Sequence, residues 1–236
     1  MSTVTMQNIT RRVAVGAIPS WALLANKTSN VKLKPPSEGT INVAVLLSNG
    51  ATIIDFCGPW EVFQDVAVPN MNDPNHRMPF RLYTVAKDRE IIRCSGGLQV
   101  LPDFTFADAP QPHVVVIPAQ SGSGEPMYEW LRKVHTKNDL TMSVCTGAFH
   151  LASAGLLKDL TATTHHDFYD RFEKRFPDVK LQRGLRFVEN GNLASAGGLT
   201  SGIDLALRVV ERYFGRDVAQ QTAEYMEYQG KGWMVG

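Results

Sequence analysis

The chain has 236 residues, room for one α/β domain and an extension, and its 44% hydrophobic and 20% charged content excludes a disordered, collagen-like or coiled-coil protein. Lys and Arg total 24 against 23 Asp and Glu, so no global charge points to nucleic acid or an anionic membrane, and a small-molecule partner is expected. The three cysteines, Cys57, Cys94 and Cys145, are widely spaced and include no CxxC pair, which argues against a disulfide scaffold, a zinc site or any other resident metal. They read as buried inert thiols, or as inert thiols with one reactive member.

Residues 1–40 carry no acid before Glu38 and pass from Thr10-Arg11-Arg12 into a mostly apolar stretch over 13–25. A basic flank before a short apolar run has the form of an export signal, here of twin-arginine type, and the run is too short to cross a bilayer as a helix. Pro19 and Ser20 interrupt it, and a cut after Ala25 would put Leu23 where a small residue is preferred. An export signal and a merely disordered N-terminal arm therefore stand as equal readings, and location stays open between cytoplasm and periplasm. Residues 32–40, with Pro35-Pro36 and Gly39, read as a linker, and one domain is expected over 41–236.

In chain order, buried strands are predicted over 41–47, 113–117 and 140–144, short apolar runs bounded by turn residues, with 80–85 a further strand candidate. Helices are predicted over 58–66, 125–136, 146–157, 166–176, 201–214 and 216–228, and hairpin excursions over 89–101 and 185–194. Strands alternating with helices imply a doubly wound, mainly parallel sheet of flavodoxin-like type with helices on both faces. In such sheets chemistry collects outside the carboxyl ends of the strands.

Cys145 stands at such an end, directly after an apolar strand and before Thr146-Gly147-Ala148. Strand, nucleophile, small residues and helix are the ingredients of a nucleophile elbow. A helix N-terminus there is expected to lower the thiol pKa, and free N–H groups of the first turn to bind developing negative charge. The plainer reading is a packing thiol at a strand end. Gly147 favours the first, since it permits close approach of helix and sheet.

A thiol nucleophile needs a proton partner. Asp55 follows the first strand among Ile53, Ile54 and Phe56, surroundings that raise a carboxyl pKa toward neutrality. The alternative role for Asp55 is an N-cap of a helix starting near Gly58-Pro59. Glu61 reads as a solvated or capping acid. The 171–175 stretch reads as the solvated face of an amphipathic helix, and the Ser121-Gly122-Ser123-Gly124 loop matches no nucleotide motif.

Six segments together resemble the ThiJ/PfpI superfamily, and within it the isocyanide hydratase-like branch. They are Asp55-Phe56-Cys57-Gly58-Pro59, Val116-Ile117-Pro118, Ser143-Val144-Cys145-Thr146-Gly147-Ala148, Ala154-Gly155-Leu156-Leu157, Ala162-Thr163-Thr164-His165 and Gly197-Gly198-Leu199-Thr200-Ser201-Gly202-Ile203-Asp204. The resemblance implies Cys145 as nucleophile toward an isocyanide, Asp55 as general acid/base and Thr146 as a backbone N–H donor beside the thiol. It implies a thioimidate that water converts to an N-formamide, no organic cofactor and a homodimer. Ala119, Gln120, Gly58, His165 and His166 are the expected oxyanion and pocket residues. Ala119-Gln120 replaces the usual Gly-Gly after Pro118, in the loop that supplies the second N–H, and His166 replaces the usual aromatic. The second enzyme reading is a glyoxalase- or deglycase-like activity on reactive carbonyls. A ligand or oxidation sensor is the non-catalytic one. AraC-type regulators carry a domain of this kind followed by a helix-turn-helix region, for which residues 216–236 are expected to be too few.

Overall fold

The computed structural model describes residues 31–68 and 78–234. The arm with Arg11-Arg12 and the apolar stretch behind it lies outside the described residues, and 31–40 carry no helix or strand.

A seven-stranded sheet forms the centre, in the order β10-β11-β7-β6-β1-β2-β5. Its strands are β1 (Ile41–Leu46), β2 (Phe80–Ala86), β5 (Phe104–Thr105), β6 (Val114–Ile117), β7 (Leu140–Ser143), β10 (Phe187–Asn190) and β11 (Leu193–Ala196). All neighbours are parallel except β10 and β11, so the predicted doubly wound architecture holds. The 185–194 hairpin is no excursion: β11 pairs with β7, which makes the hairpin one edge of the main sheet. The 89–101 hairpin, β3 (Ile92–Arg93) with β4 (Gln99–Val100), does stand apart from the central sheet. β8 (Thr161–Ala162) and β9 (Lys180–Leu181) form a third, two-stranded sheet.

The strands are apolar on both sides because helices cover both faces. Val43, Val45, Val114, Val116, Leu140 and Met142 point into a core shared with α1 (Ile53–Gln64), α5 (Ser201–Phe214) and α6 (Arg216–Tyr225). Ala44, Leu46, Val115 and Ile117 point the other way, toward α2 (Glu125–His135), α3 (Ala148–Ser153) and α4 (Tyr169–Arg175). The chain leaves β1 for β2 on one side and later returns to β6 on the other. The carboxyl ends of β1 and β6 therefore flank the switch point where a crevice opens.

One helix starts elsewhere than predicted. α1 begins at Ile53, five residues before Gly58, and Pro59 lies inside it. Its first free N–H groups are satisfied from a distance: Ile53 N–H donates to Ser95 Oγ at 3.1 Å, across from the β3–β4 hairpin. Asp55 is consequently a first-turn residue and not the N-cap, which is Thr52.

Charge is buried at the opposite edge. Glu189 on β10 is fully enclosed and accepts from Arg208 Nε and Arg212 Nη1 of α5, each at 3.1 Å. Arg212 also donates to the carbonyls of Val31 and Gly191, tying the N-terminal segment to this cluster. Removing the shared carboxylate takes from both buried arginines the acid between them, although Arg208 also pairs with Glu211 at 2.9 Å. Glu189→Gln is expected to cost about 3–5 kcal/mol, measured as a lower urea midpoint at unchanged m-value; a loss under about 1 kcal/mol would show a solvated pair.

Candidate active site

Cys145 follows β7 in a left-handed backbone conformation, φ +58°, which a side chain other than glycine adopts only at a cost of about 1–3 kcal/mol. The turn is held from two sides. Cys145 N–H donates to Gly197 O at 2.7 Å, and Thr164 Oγ1 donates to Cys145 O at 2.9 Å. Gly147 is required by contact: a Cβ there would lie 2.2 Å from the carbonyl oxygen of Ile117. The elbow geometry expected from the sequence is present.

Asp55 is completely buried, and its Oδ2 accepts the Ala119 N–H at 3.1 Å. Oδ1 is buried without an N–H or O–H donor, and the thiol of Cys145 is the group that faces the carboxylate. Burial raises the Asp55 pKa to about 6, against the smaller lowering effects of the Ala119 N–H and the thiol.

Burial also pushes the Cys145 thiol up, to about 12, and the nearby Asp55 charge adds to this. That direction corrects the expectation of a helix-lowered thiol. α3 has only six residues and starts at Ala148, after a single 3₁₀ turn over Cys145–Gly147, so little helix dipole reaches the sulfur. Two backbone N–H groups work in the lowering direction, those of Thr146 and Leu199. Leu199, at φ +50°, belongs to the turn after β11 and was not foreseen as a site residue. The N–H of Ala119, in the loop from which a second donor was expected, is committed to Asp55.

The remaining expected residues divide. Gln120 turns its amide away, accepting from Ser48 Oγ at 2.9 Å and donating to Leu46 O at 3.3 Å. Its carbonyl faces His150 Nε2 at 3.4 Å. Gly58 contributes no wall, since a Cβ there would meet Ile203 of α5 at 2.9 Å; its smallness serves helix packing. The His165 ring lies against Gly198, accepts the Asp167 N–H through Nδ1 at 3.2 Å and stacks on His166 with centroids 4.3 Å apart. His166 is exposed and pairs with Asp167 at 3.2 Å. Ligand-type atoms of His165, His166 and Asp167 come within 4.8 Å of one another, mostly in solvent.

A cavity of about 340 Å³ opens beside the elbow. Thr146 and Gln120, the residues after Cys145 and Ala119, line it, together with His150, Tyr128, Arg171 and Arg175. His150 is buried, and burial lowers its pKa; since a carbonyl only accepts, Nε2 carries the proton toward Gln120. Arg171 and Arg175 are thus cavity residues and not merely a solvated face.

Residues 41–212 match the DJ-1/PfpI family. The chain belongs to the DJ-1/PfpI family. Among its DJ-1/PfpI relatives is the isonitrile hydratase of Pseudomonas putida, 31% identical over 194 residues that cover 80% of this chain and 78% of the relative. The HTH-type transcriptional regulator GbdR of Pseudomonas aeruginosa is 24% identical over 83% of this chain; the chain spans about half of that regulator, 53%. A THiJ/PfpI family protein from Pseudomonas syringae shares the fold, with a TM-score of 0.70, 24% identity and coverage of 93% of this chain and 85% of its own. Among the described residues, no helix is long and apolar enough to cross a membrane.

The raised Asp55 pKa has a consequence for stability. The carboxyl holds its proton more tightly in the folded state, at about 6, than at its ordinary value of 3.8. Folding is therefore favoured by acid, and this contribution is lost as pH rises from about 4 through 6. Asn at this position keeps an oxygen for the Ala119 N–H without the buried charge. Asp55→Asn should raise stability at pH 7–8 by up to about 3 kcal/mol, with the gain gone near pH 4. A gain independent of pH in thermal melts would show that Asp55 is not a raised carboxyl.

Proposed function

We propose that this protein is a cysteine-dependent hydratase that adds water to an isocyanide and releases an N-formamide. The observation that carries the reading is the buried pair: Asp55, with one oxygen lacking an N–H or O–H donor, facing the Cys145 thiol. The similarity to isonitrile hydratase supports the choice of substrate class.

Near neutrality the pair holds one proton, on sulfur, with Asp55 ionised. Transfer to Asp55 removes the very charge that opposes a thiolate, and the Thr146 and Leu199 N–H groups support the sulfur anion that results. The thiolate attacks the terminal carbon, forming the C–S bond, and Asp55 returns the proton to that same carbon, giving a thioimidate R–N=CH–S. Asp55 then takes a proton from water as its oxygen attacks the carbon and passes that proton to the nitrogen, giving R–NH–CH(OH)–S. The C–S bond breaks as Asp55 moves the hydroxyl proton to sulfur, and R–NH–CHO leaves. Each step is a proton transfer matched to one bond change, and no oxidant or metal enters the balance.

His165 and His166 have no part in this scheme, because their partners are Asp167, Gly198 and each other.

Cys145→Ala should abolish isocyanide hydration and the intact-mass adduct, with the circular dichroism spectrum preserved. Asp55→Asn should lower kcat/KM by about 10²- to 10⁴-fold. The native profile should fall on the acid side with an apparent pKa of about 6. A panel of isocyanides, methylglyoxal and small amides tests the substrate class: turnover of methylglyoxal alone would replace hydration by the reactive-carbonyl reading.

A further inference from the structure

We propose that the cavity beside Cys145 is a binding subsite for a carboxylate or phosphate group, and that the substrate carries such a group away from its reacting carbon. The second half, on substrate class, rests on the hydration reading; the binding site itself does not.

Arg171 and Arg175 both line the cavity and lie four residues apart on α4, a spacing that places two like charges on one face. Such a pair is mildly unfavourable unless something negative answers it. The acids of the same helix do not: Asp170 and Glu173 both pair with Arg183, Asp170 at 2.6 Å. Among the described residues no carboxylate pairs with Arg171 or Arg175. α4 thus spends its negative charge on Arg183 and presents its positive charge to the cavity.

The two guanidiniums are also held in place. Arg171 lies 5.9 Å from the Phe149 ring centroid and Arg175 5.3 Å from that of Phe176. Those rings belong to one aromatic cluster with the buried Phe172, Phe149–Phe172 at 5.0 Å and Phe149–Phe176 at 5.8 Å. A guanidinium stacked on a ring keeps its N–H fork free at the edge, the geometry that receives a carboxylate or phosphate in two parallel hydrogen bonds. The Arg175 charge also helps keep His150 neutral, so the cavity holds fixed cations and neutral donors.

Position completes the argument. Thr146, which supplies one of the N–H groups at the sulfur, is itself a wall of this cavity. A ligand anchored on α4 therefore reaches the thiol over the length of a small molecule, and about 340 Å³ is a volume suited to one.

The test compares three isocyanides with the same alkyl chain, ending in a carboxylate, a phosphonate or a methyl ester. The wild type should favour one of the two anions over the ester by at least about tenfold in kcat/KM, through KM. In R171Q/R175Q that ratio should fall to about one, and Arg175→Glu should turn it in favour of the ester. In parallel, calorimetry on Cys145→Ala protein with inorganic phosphate and with acetate should show saturable binding of at least one anion, lost in R171Q/R175Q. Turnover with equal use of acid, phosphonate and ester would overturn the subsite. Binding of an anion without turnover of any isocyanide would uphold the subsite and overturn hydration. Neither binding nor turnover would overturn both.

Discussion

Two acids, Asp55 and Cys145, face each other in a buried site, and only one negative charge can reside there at moderate cost. Burial raises the cost of ionising both groups; the Asp55 charge raises it further for Cys145, while the thiol's hydrogen bond eases it for Asp55. The pair is consequently held near a one-proton state, with the thiol protonated and the carboxylate ionised around neutrality. Much of the surrounding structure serves this arrangement. The Ala119 N–H steadies one carboxylate oxygen, Thr146 and Leu199 aim N–H groups at the sulfur, and Gly147 lets the turn press against Ile117. The segments that leave three neighbouring strands of the sheet, β1, β6 and β7, bring Asp55, Ala119 and Cys145 to one rim.

Such a pair is a standing cost to stability, which the remainder of the fold has to carry. It does so with a sheet buried on both faces and with α5, whose side chains are nearly all enclosed, arginines included. The small residues Gly58 and Gly202 bring α1 and α5 together: a Cβ on Gly58 would strike Ile203, and one on Gly202 would crowd Pro59 of α1 at 3.3 Å as well as strike Val144 after β7. The glycine in the Asp55 segment is therefore a packing device for the helix that carries the acid.

What was legible in the sequence follows the reach of each signal. The strands β1, β6 and β7 announce themselves because burial on both faces demands unbroken apolar runs, and α5 is bounded as predicted because its apolar stripe ends at Gly215. Cys145 and Asp55 are legible because strand ends and apolar neighbours mark them locally. The start of α1 is misplaced because Gly58-Pro59 has the look of a first turn, while the true first turn is completed by Ser95, distant in the chain. Leu199 acts through its backbone, so nothing about its side chain betrays it. His150, Arg171 and Arg175 lie on helices whose polar residues look solvated until α4 is known to pack across the elbow helix. The two-residue strands β5, β8 and β9 are too short to show any period.

The elbow's anchors have a bearing on how this family diversifies. Both hydrogen bonds that pin Cys145, to Gly197 and from Thr164, engage its peptide group and not its sulfur. The bend and the cavity beside it are thus indifferent to which side chain sits at the apex. A side chain at the apex can be exchanged without removing either anchor, so one backbone frame can be kept for more than one use. A chain built this way counts both an isonitrile hydratase and transcriptional regulators among its kin.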